Sequence, residues 1–448
     1  MKPKKSPSSD KEKELFRSEL QSIIDNGHKL VKLSKVIDWE ELDKEFGKNF
    51  NESKGRPGIS TRLIISLHYL KFTYDLSDED VLESWKENPY WQYFSGMKYF
   101  EHELPCESSS MSRWRKRFGE KGAEKLLQET IEAGLKLKAV NKVELKRINV
   151  DTTVQEKNVR FPTDARLYDR ARERLVKESE KQGVVLRQNY NKLSKKNLLK
   201  QGRYAHAKQL KRADRCIKNL KNYLGRVIRD IERKAVNPDN ELKNLLDIGN
   251  RIFNQEKRDK NKVYSVHEPD VECISKGKAH KRYEFGCKVS VAVTSRGGWF
   301  VGSQAIHGNP YDGHTLSKTL EQVKRVAGTP EKVFVDRGYR GHDYAGEIEI
   351  HVDKVRRGKT SHSLWRWMKR RSAVEPSIGH LKQEHRMDKN RLKGKDGDRI
   401  NAILSAAGMN FSKLLKQLVS YFHYFYLSIR LKLVPSQLGL IPTLTTFL

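Results

Sequence analysis

The chain has 448 residues, enough for two or three domains, and its 36% hydrophobic content supplies real cores although 33% of its residues are charged. Lys and Arg outnumber Asp and Glu by 89 to 57, a formal charge of +32, which favours a polyanionic partner such as nucleic acid; a solvated basic surface is the plain alternative. Cys106, Cys216, Cys273 and Cys287 form no C-x-x-C pair and the opening MKPKKSPSSDKEKE carries no apolar stretch, which argues against a disulfide framework, a standard zinc finger and a conventional signal peptide and fits a reduced, cytoplasmic setting.

Residues 1 to about 35 read as charged and poorly ordered at first, and helices follow to about residue 140. Gly55 to Gly58, with Pro57, predict a turn, after which Ser60 or Thr61 caps a helix that buries Leu63, Ile64, Leu67 and Leu70. Asp75, Ser77 and Asp78 offer caps for the next helix, with Val81, Leu82 and Trp85 inward. Trp85, Tyr90, Trp91, Tyr93 and Phe94 read as core. A third helix starts at the Ser108 to Ser110 cluster and carries Arg113, Arg115, Lys116 and Arg117, which are expected to reach phosphates or base edges. These helices fit either a helix-turn-helix-type DNA-binding module or a compact helical domain with a solvated basic helix.

From about residue 166 to 260 the sequence is very basic and helical. Ala213, Ile217, Leu220, Leu224, Val227 and Ile231 recur at steps of four and three, the seam of a helix lying along a partner helix. Its outer Lys and Arg residues either track a DNA backbone or form a solvated surface. The pattern then changes. YEFGCKVSVAVT, from Tyr283, alternates as a strand and pairs with WFVGSQAI, from Trp299, across Arg296, Gly297 and Gly298. A helix begins near Asp312, a strand ends at Asp336, and a short strand follows around Ile348 to Val352.

Three acidic residues stand out against this frame. Asp151 in RINVDTTVQ and Asp336 in KVFVDRGYRG follow β-branched runs, so each carboxylate projects from or near the end of a buried strand. Glu375, in RRSAVEPSIGHLKQEHR, opens a helical segment. Together they make an all-oxygen site suited to a hard cation such as magnesium. Arg371, Glu375 and Lys382, spaced by four and seven, share one face of a continuous helix, but Pro376 fits a first turn or a kink and can leave Arg371 in a preceding turn. The order strand, helical insertion, hairpin, helix, strand, strand, helix matches a ribonuclease H-like α/β arrangement with a long helical insertion after the first strand, preceded by an all-helical N-terminal domain. The expected divisions are 1–140, 141–415 with the insertion at about 166–260, and an apolar tail at 416–448.

The chain resembles the DDE transposases of bacterial insertion sequences, in particular the insertion sequence five family. The resemblance rests on GRPGISTRLIISLHYLKFTYDLSDEDVLESWKENPYWQYFSG, HELPCESSSMSRWRKRFG, VDTTVQEKNVRFPTD, KGKAHKRYEFGCKVSVA, HGNPYDGHTL, VDRGYRG and the Arg371 to Lys382 segment, spanning about residues 40 to 415. It implies that Asp151, Asp336 and Glu375 are the catalytic, metal-binding triad, accompanied by Arg371 and Lys382. The family often has a tyrosine three residues before that arginine; Met368 stands there in this chain. The resemblance also implies two Mg²⁺ ions, with Mn²⁺ able to substitute, cleavage at the element's terminal inverted repeats, attack of the freed 3′-hydroxyl on target DNA, and a homodimer or larger synaptic assembly. A domesticated, non-catalytic DNA-binding protein and a ribonuclease H-like nuclease that cuts without joining are the rival readings.

Other residues carry weaker signals. His267, Cys273, His280 and Cys287 have spacings too irregular for a zinc set, so core or turn roles suffice. Asp312 and His314 are either second-layer groups near the metals or, for Asp312, a helix cap. Glu272 and Glu284 leave room for a further carboxylate, whereas Asp164 and Asp343 read as turn residues. From Phe411 the sequence turns apolar, yet Lys413, Lys416, Arg430 and Lys432 keep the run short of the ~20 residues that cross a bilayer. No membrane is expected, and a final packed helix or an oligomer contact accounts for the tail.

Overall fold

The computed structural model describes residues 17–48, 58–275, 281–353 and 361–433, with side chains described as far as residue 419. The turn expected around Gly55 and Pro57, His280 and the last residues of the tail lie outside the described residues. Within them the N-terminal part is helical, with α1 (Leu20–Ile23), α2 (Lys29–Val36), α3 (Trp39–Gly47), α4 (Thr61–Thr73), α5 (Asp78–Glu87), α6 (Pro89–Phe94), α7 (Ser108–Lys136) and α8 (Lys142–Leu145).

Local chemistry sets these elements. Ser77 caps α5 reciprocally with Asp80, each side chain taking the other's backbone N–H. Asn88 caps α6 and Pro89 occupies its first position, where the missing N–H has no partner to lose. Ser60 stands at the N-cap of α4 without a side-chain cap bond. That helix is apolar on more than one face and is buried nearly all round, beyond the single stripe its periodicity predicts. Trp85, Trp91 and Phe94 are buried as core, whereas Tyr90 and Tyr93 are half-buried. In α7 the helical path is broken at Gly119, whose φ of +58° suits a residue without a side chain.

Arg115 departs from expectation. Its neighbours Arg113, Lys116 and Arg117 are exposed, but Arg115 is 4% exposed and its Nη1 donates to Asp78 Oδ1 at 2.8 Å. Lys71 Nζ reaches the same oxygen at 2.7 Å, and Arg115 Nη1 also lies 3.5 Å from His68 Nε2. It therefore joins α4, α5 and α7 instead of facing DNA.

The sheet is built on β1 (Arg147–Lys157). It runs antiparallel to β3 (Glu284–Thr294), and β3 pairs in turn with β2 (Glu272–Ile274) at one end and β4 (Phe300–Ile306) along the rest. On its other side β1 runs parallel to β5 (Lys332–Val335) and, at its far end, to β7 (Lys389–Asn390); β6 (Glu349–Val352) lies beyond β5. Four helices, α9 (Asp164–Lys181), α10 (Asn191–His206), α11 (Leu210–Lys234) and α12 (Asn240–Asn254), stand between β1 and β2. The α11 seam is buried at Ala213, Leu220, Leu224, Val227 and Ile231, and Ile217 packs beside it half-buried. These helices enclose a core of their own.

A second, larger core is shared by the N-terminal helices, the sheet, α13 (Leu316–Ala327), α15 (Val374–Glu384) and α16 (Gly394–Leu433); α14 (His362–Arg370) precedes α15. Asn410 of α16 locks three elements, its Nδ2 donating to Thr130 Oγ1 and Phe300 O and its Oδ1 accepting from Phe300 N. At Gly408 a Cβ would lie 2.6 Å from the Phe72 backbone, so α4 and α16 touch main chain to main chain. Among the described residues no helix is long and apolar enough to cross a membrane.

The buried Asp78 cluster sets an acid response. Burial opposes charge on Asp78, but Arg115 and Lys71 outweigh it and hold the carboxyl well below its ordinary range. Burial, with Arg115 beside it, pushes His68 down to about 3 from an ordinary 6.5. The unfolded chain therefore binds a proton between those values that the fold excludes, and stability falls as pH drops below 6.5, by up to about 1.4 kcal/mol per unit. The Asp78 contribution is present above its unfolded value near 3.8 and is lost only below it. Urea titrations of His68→Asn should show a flatter decline than the parent between about pH 6 and 4, with an unchanged slope refuting the assignment. Arg115→Met should lower stability by about 3 kcal/mol, because it strips a buried carboxylate of its main partner.

Candidate functional site

The register of β1 on β5 brings the two strand carboxylates level. Ile148 faces Val333 and Asn149 faces Phe334, so two residues further along Asp151 stands beside Asp336, just past the end of β5. Both strands are buried through Val150 and Val335, so the register is fixed by packing on either side. Asp151 itself is half-buried, and Asp336 turns its Oδ1 onto Gly338 N at 2.9 Å, capping a short 3-10 turn, Arg337–Tyr339.

Glu375 arrives from the other side. Arg371 lies in a 3-10 turn, Arg371–Ala373, after α14, and Glu375 and Pro376 fall in the first turn of α15 with Lys382 near its end. The proline thus sits where its absent N–H leaves no bond unmade, and Arg371 belongs to the preceding turn. Arg371 Nη1 is 3.7 Å from Asp151 Oδ2 and Nη2 is 3.8 Å from Glu375 Oε1. The guanidinium bridges strand and helix carboxylates. Glu375 is 67% exposed at its side chain and Lys382 is half-buried.

Residues without an acidic signal hold this turn in place. Asn149 Nδ2 donates to Arg370 O at 3.2 Å while its Oδ1 accepts from Ser295 Oγ at 2.7 Å, tying the turn to β1 two residues before Asp151. Trp367 stacks over Phe334, with the Arg147 and Arg370 guanidinium groups 5.0 and 5.6 Å from its ring centre. A polar Asn inside a β-branched run was the only sequence trace of this support.

Asp312 does not cap a helix. It opens a 3-10 turn, Asp312–Thr315, makes no cap bond, and accepts instead from Lys288 Nζ at 2.8 Å. Glu272 Oε1 accepts from Gly308 N at 2.6 Å and so fixes the loop that leads to Asp312. Glu284 is buried on β3. Asp343, beyond a turn role, accepts from Ser317 N in the first turn of α13.

An all-oxygen donor set suits a hard divalent cation, and the Arg371 guanidinium lies between Asp151 and Glu375, where positive charge is wanted. The oxygens of Asp151, Asp336 and Glu375 do not all lie within 4.8 Å of one another. The metal-ligating side chains that do, among the described residues, are Cys287, His307 and Asp398, not the His267, Cys273 and Cys287 set. There, Asp398 already accepts from Lys157 Nζ and Asn390 Nδ2 at 2.6 Å and from His307 Nε2 at 3.1 Å, and burial pushes the Cys287 thiol well up. That cluster is a satisfied buried network with its cation supplied by lysine.

Removing the bridging cation should expose the repulsion it screens. Arg371→Gln is expected to lower metal-free stability by about 1 kcal/mol, and millimolar Mn²⁺ should stabilise the variant more than the parent in thermal melts. Equal gains would count against a cation site between these carboxylates.

Residues 18–117 match a family described as a transposase domain (DUF772), and residues 262–411, which include Asp336 and Glu375, match the transposase DDE domain. The "Uncharacterized protein ORF8 in nfe locus" of Rhizobium meliloti is 48% identical over 203 residues, covering 45% of this chain and 97% of that protein. No solved structure matches the chain. With residues 18–117 and 262–411 matched to transposase families and a relative matched over nearly its whole length, the chain belongs to the DDE transposases.

Proposed function

We propose that this transposase serves an insertion sequence of the five family, binding its terminal inverted repeats and catalysing cleavage and transfer of DNA strands. The observation that carries the reading is the alignment of Asp151 with Asp336 across β1 and β5, with Arg371 joining Asp151 to Glu375. The strand order β4-β3-β1-β5-β6, with β3 antiparallel and β5 and β6 parallel to their neighbours, supports a ribonuclease H-like catalytic unit over 141–415. The helices α9 to α12 form its insertion, and residues 1–140 form the N-terminal DNA-binding unit.

Asp151, Asp336 and Glu375 hold the metal ions. Two divalent cations, Mg²⁺ or in its place Mn²⁺, supply activation of the attacking oxygen and stabilisation of the leaving oxygen. The protein's own part is positional. Asp151 is fixed by its pairing with Val291 of β3 and by the β5 pairing of the strand just before it, and Asp336 is fixed by the Gly338 N–H. Arg371 and Lys382 hold phosphates near the scissile bond, and Arg371 is free to exchange its two carboxylates for phosphate oxygens once other cations neutralise them. Arg113, Lys116 and Arg117, exposed on the first half of α7, together with the basic outer faces of α9 to α12, position the terminal repeats through their backbones. Paired ends call for a homodimer or larger synaptic assembly.

The test is incubation of the purified protein with labelled DNA carrying the flanking terminal repeats and Mg²⁺, beside Asp336→Asn. Cleaved ends and joined products are expected from the parent and absent from the variant. End binding without cleavage would move the protein to a binding or regulatory role, and cleavage without joining would make it a nuclease.

A further inference from the structure

We propose that Asp312 is a fourth carboxylate of this centre, holding a divalent cation with Asp336 through Oδ2 while Lys288 engages Oδ1; the inference rests on the metal-centre reading above. Lys288 is 8% exposed at its side chain, and its ammonium donates to Asp312 Oδ1 and to Pro310 O. This pair fixes the rotation of the Asp312 carboxylate and leaves Oδ2 on the side of Asp336. The position that a Cβ on Gly338 would take is 3.4 Å from Asp312 Oδ2 and 3.0 Å from Asp336 Oδ1. The two carboxylates therefore flank one residue that has no side chain.

A second observation concerns Tyr339, three residues after Asp336. Tyr339 is completely buried and its hydroxyl makes no well-formed hydrogen bond, although Ser290 and Thr315 lie beside it. The charges that bear on that hydroxyl are those of Asp151 and Asp312. A buried hydroxyl left without a well-formed bond this close to Asp336 is a place where a ligand's oxygen or a bound water completes the set. Asp312 thus stands beside Asp336, on a short turn braced by Lys288, while Asp151 lies in the body of β1, level with Asp336. Oxygen donors of this number and rigidity suit Mg²⁺ or Mn²⁺. The competing account is that Asp312 only anchors the loop after β4 to β3 through Lys288.

Two measurements separate these accounts. In the unaltered protein loaded with Fe²⁺ in place of the native cation, peroxide-driven backbone cleavage should occur beside Asp312 as well as beside Asp151 and Asp336. Cuts confined to the latter two would overturn the assignment. Titration calorimetry with Mn²⁺ should show Asp312→Asn, which keeps the shape and the Lys288 contact, binding about tenfold more weakly or worse. Lys288→Met, which breaks the anchor and keeps the carboxylate, should bind at least as tightly as the parent. Parent-like Mn²⁺ affinity in Asp312→Asn alongside loss in Asp336→Asn would sink the fourth carboxylate and leave the centre standing. No Mn²⁺ binding by the parent would remove both.

Discussion

The parallel pairing of β1 with β5 is the constraint on which the rest depends. Only a few residues make it, Arg147 to Asn149 against Lys332 to Phe334, yet it decides that Asp151 and Asp336 end level with each other. A slip of one residue would turn Asp151 to the opposite face and bury a carboxylate among Val150, Val154 and their neighbours. The long antiparallel register with β3 prevents that slip from the other side, because Ile148 to Glu156 are each matched to a residue of β3. The site is thus specified by apolar packing that never touches it.

The same reasoning extends to the helices. The N-terminal helices share one apolar core with the sheet, through Asn410, the Gly408–Phe72 approach and the Glu124–Arg325 pair between α7 and α13. Any surface on α7 is therefore held at a set position relative to Asp151. The four-helix segment encloses a separate core, so its stability does not rest on the sheet in the same way. Under the proposed function, in which both elements hold a DNA end, a shared core for one and a separate core for the other would divide that task between a fixed and a more independent support.

What was legible in the sequence was local and periodic. The strands around Asp151 and Asp336, the β3–β4 hairpin, the α5 cap and the α11 seam each follow from patterns a few residues long. What was not legible depended on partners far along the chain. Arg115 reads like its neighbours Arg113 and Arg117 because a basic residue on a helix looks the same whether it meets water or Asp78. Asp312 before a helical stretch reads as a cap because Lys288 lies in another strand. The roles of Asn149 and Trp367 depend on where α14 lands on the sheet, which no short pattern specifies. The separate identity of Arg371's turn was legible, since Pro376 places the start of a helix within a residue or two.

The three carboxylates also differ in how firmly they are held. Asp151 is held in the sheet by its pairing with β3 and Asp336 is tied to a backbone N–H, whereas Glu375 sits in a helix's first turn with most of its side chain in water. Rotamer freedom is consequently concentrated in one residue of the set. Arg371 is the cation that stands in contact with both Asp151 and Glu375. In the proposed metal centre a divalent cation would meet two firmly held carboxylates, Asp151 and Asp336, and one adjustable one, Glu375. Of these residues Glu375, with its exposed side chain, is the one whose position can change without disturbing the sheet. Under the proposed function, capture of a cation there would be coupled to release of the Arg371 guanidinium, with the strands supplying the fixed half of the geometry.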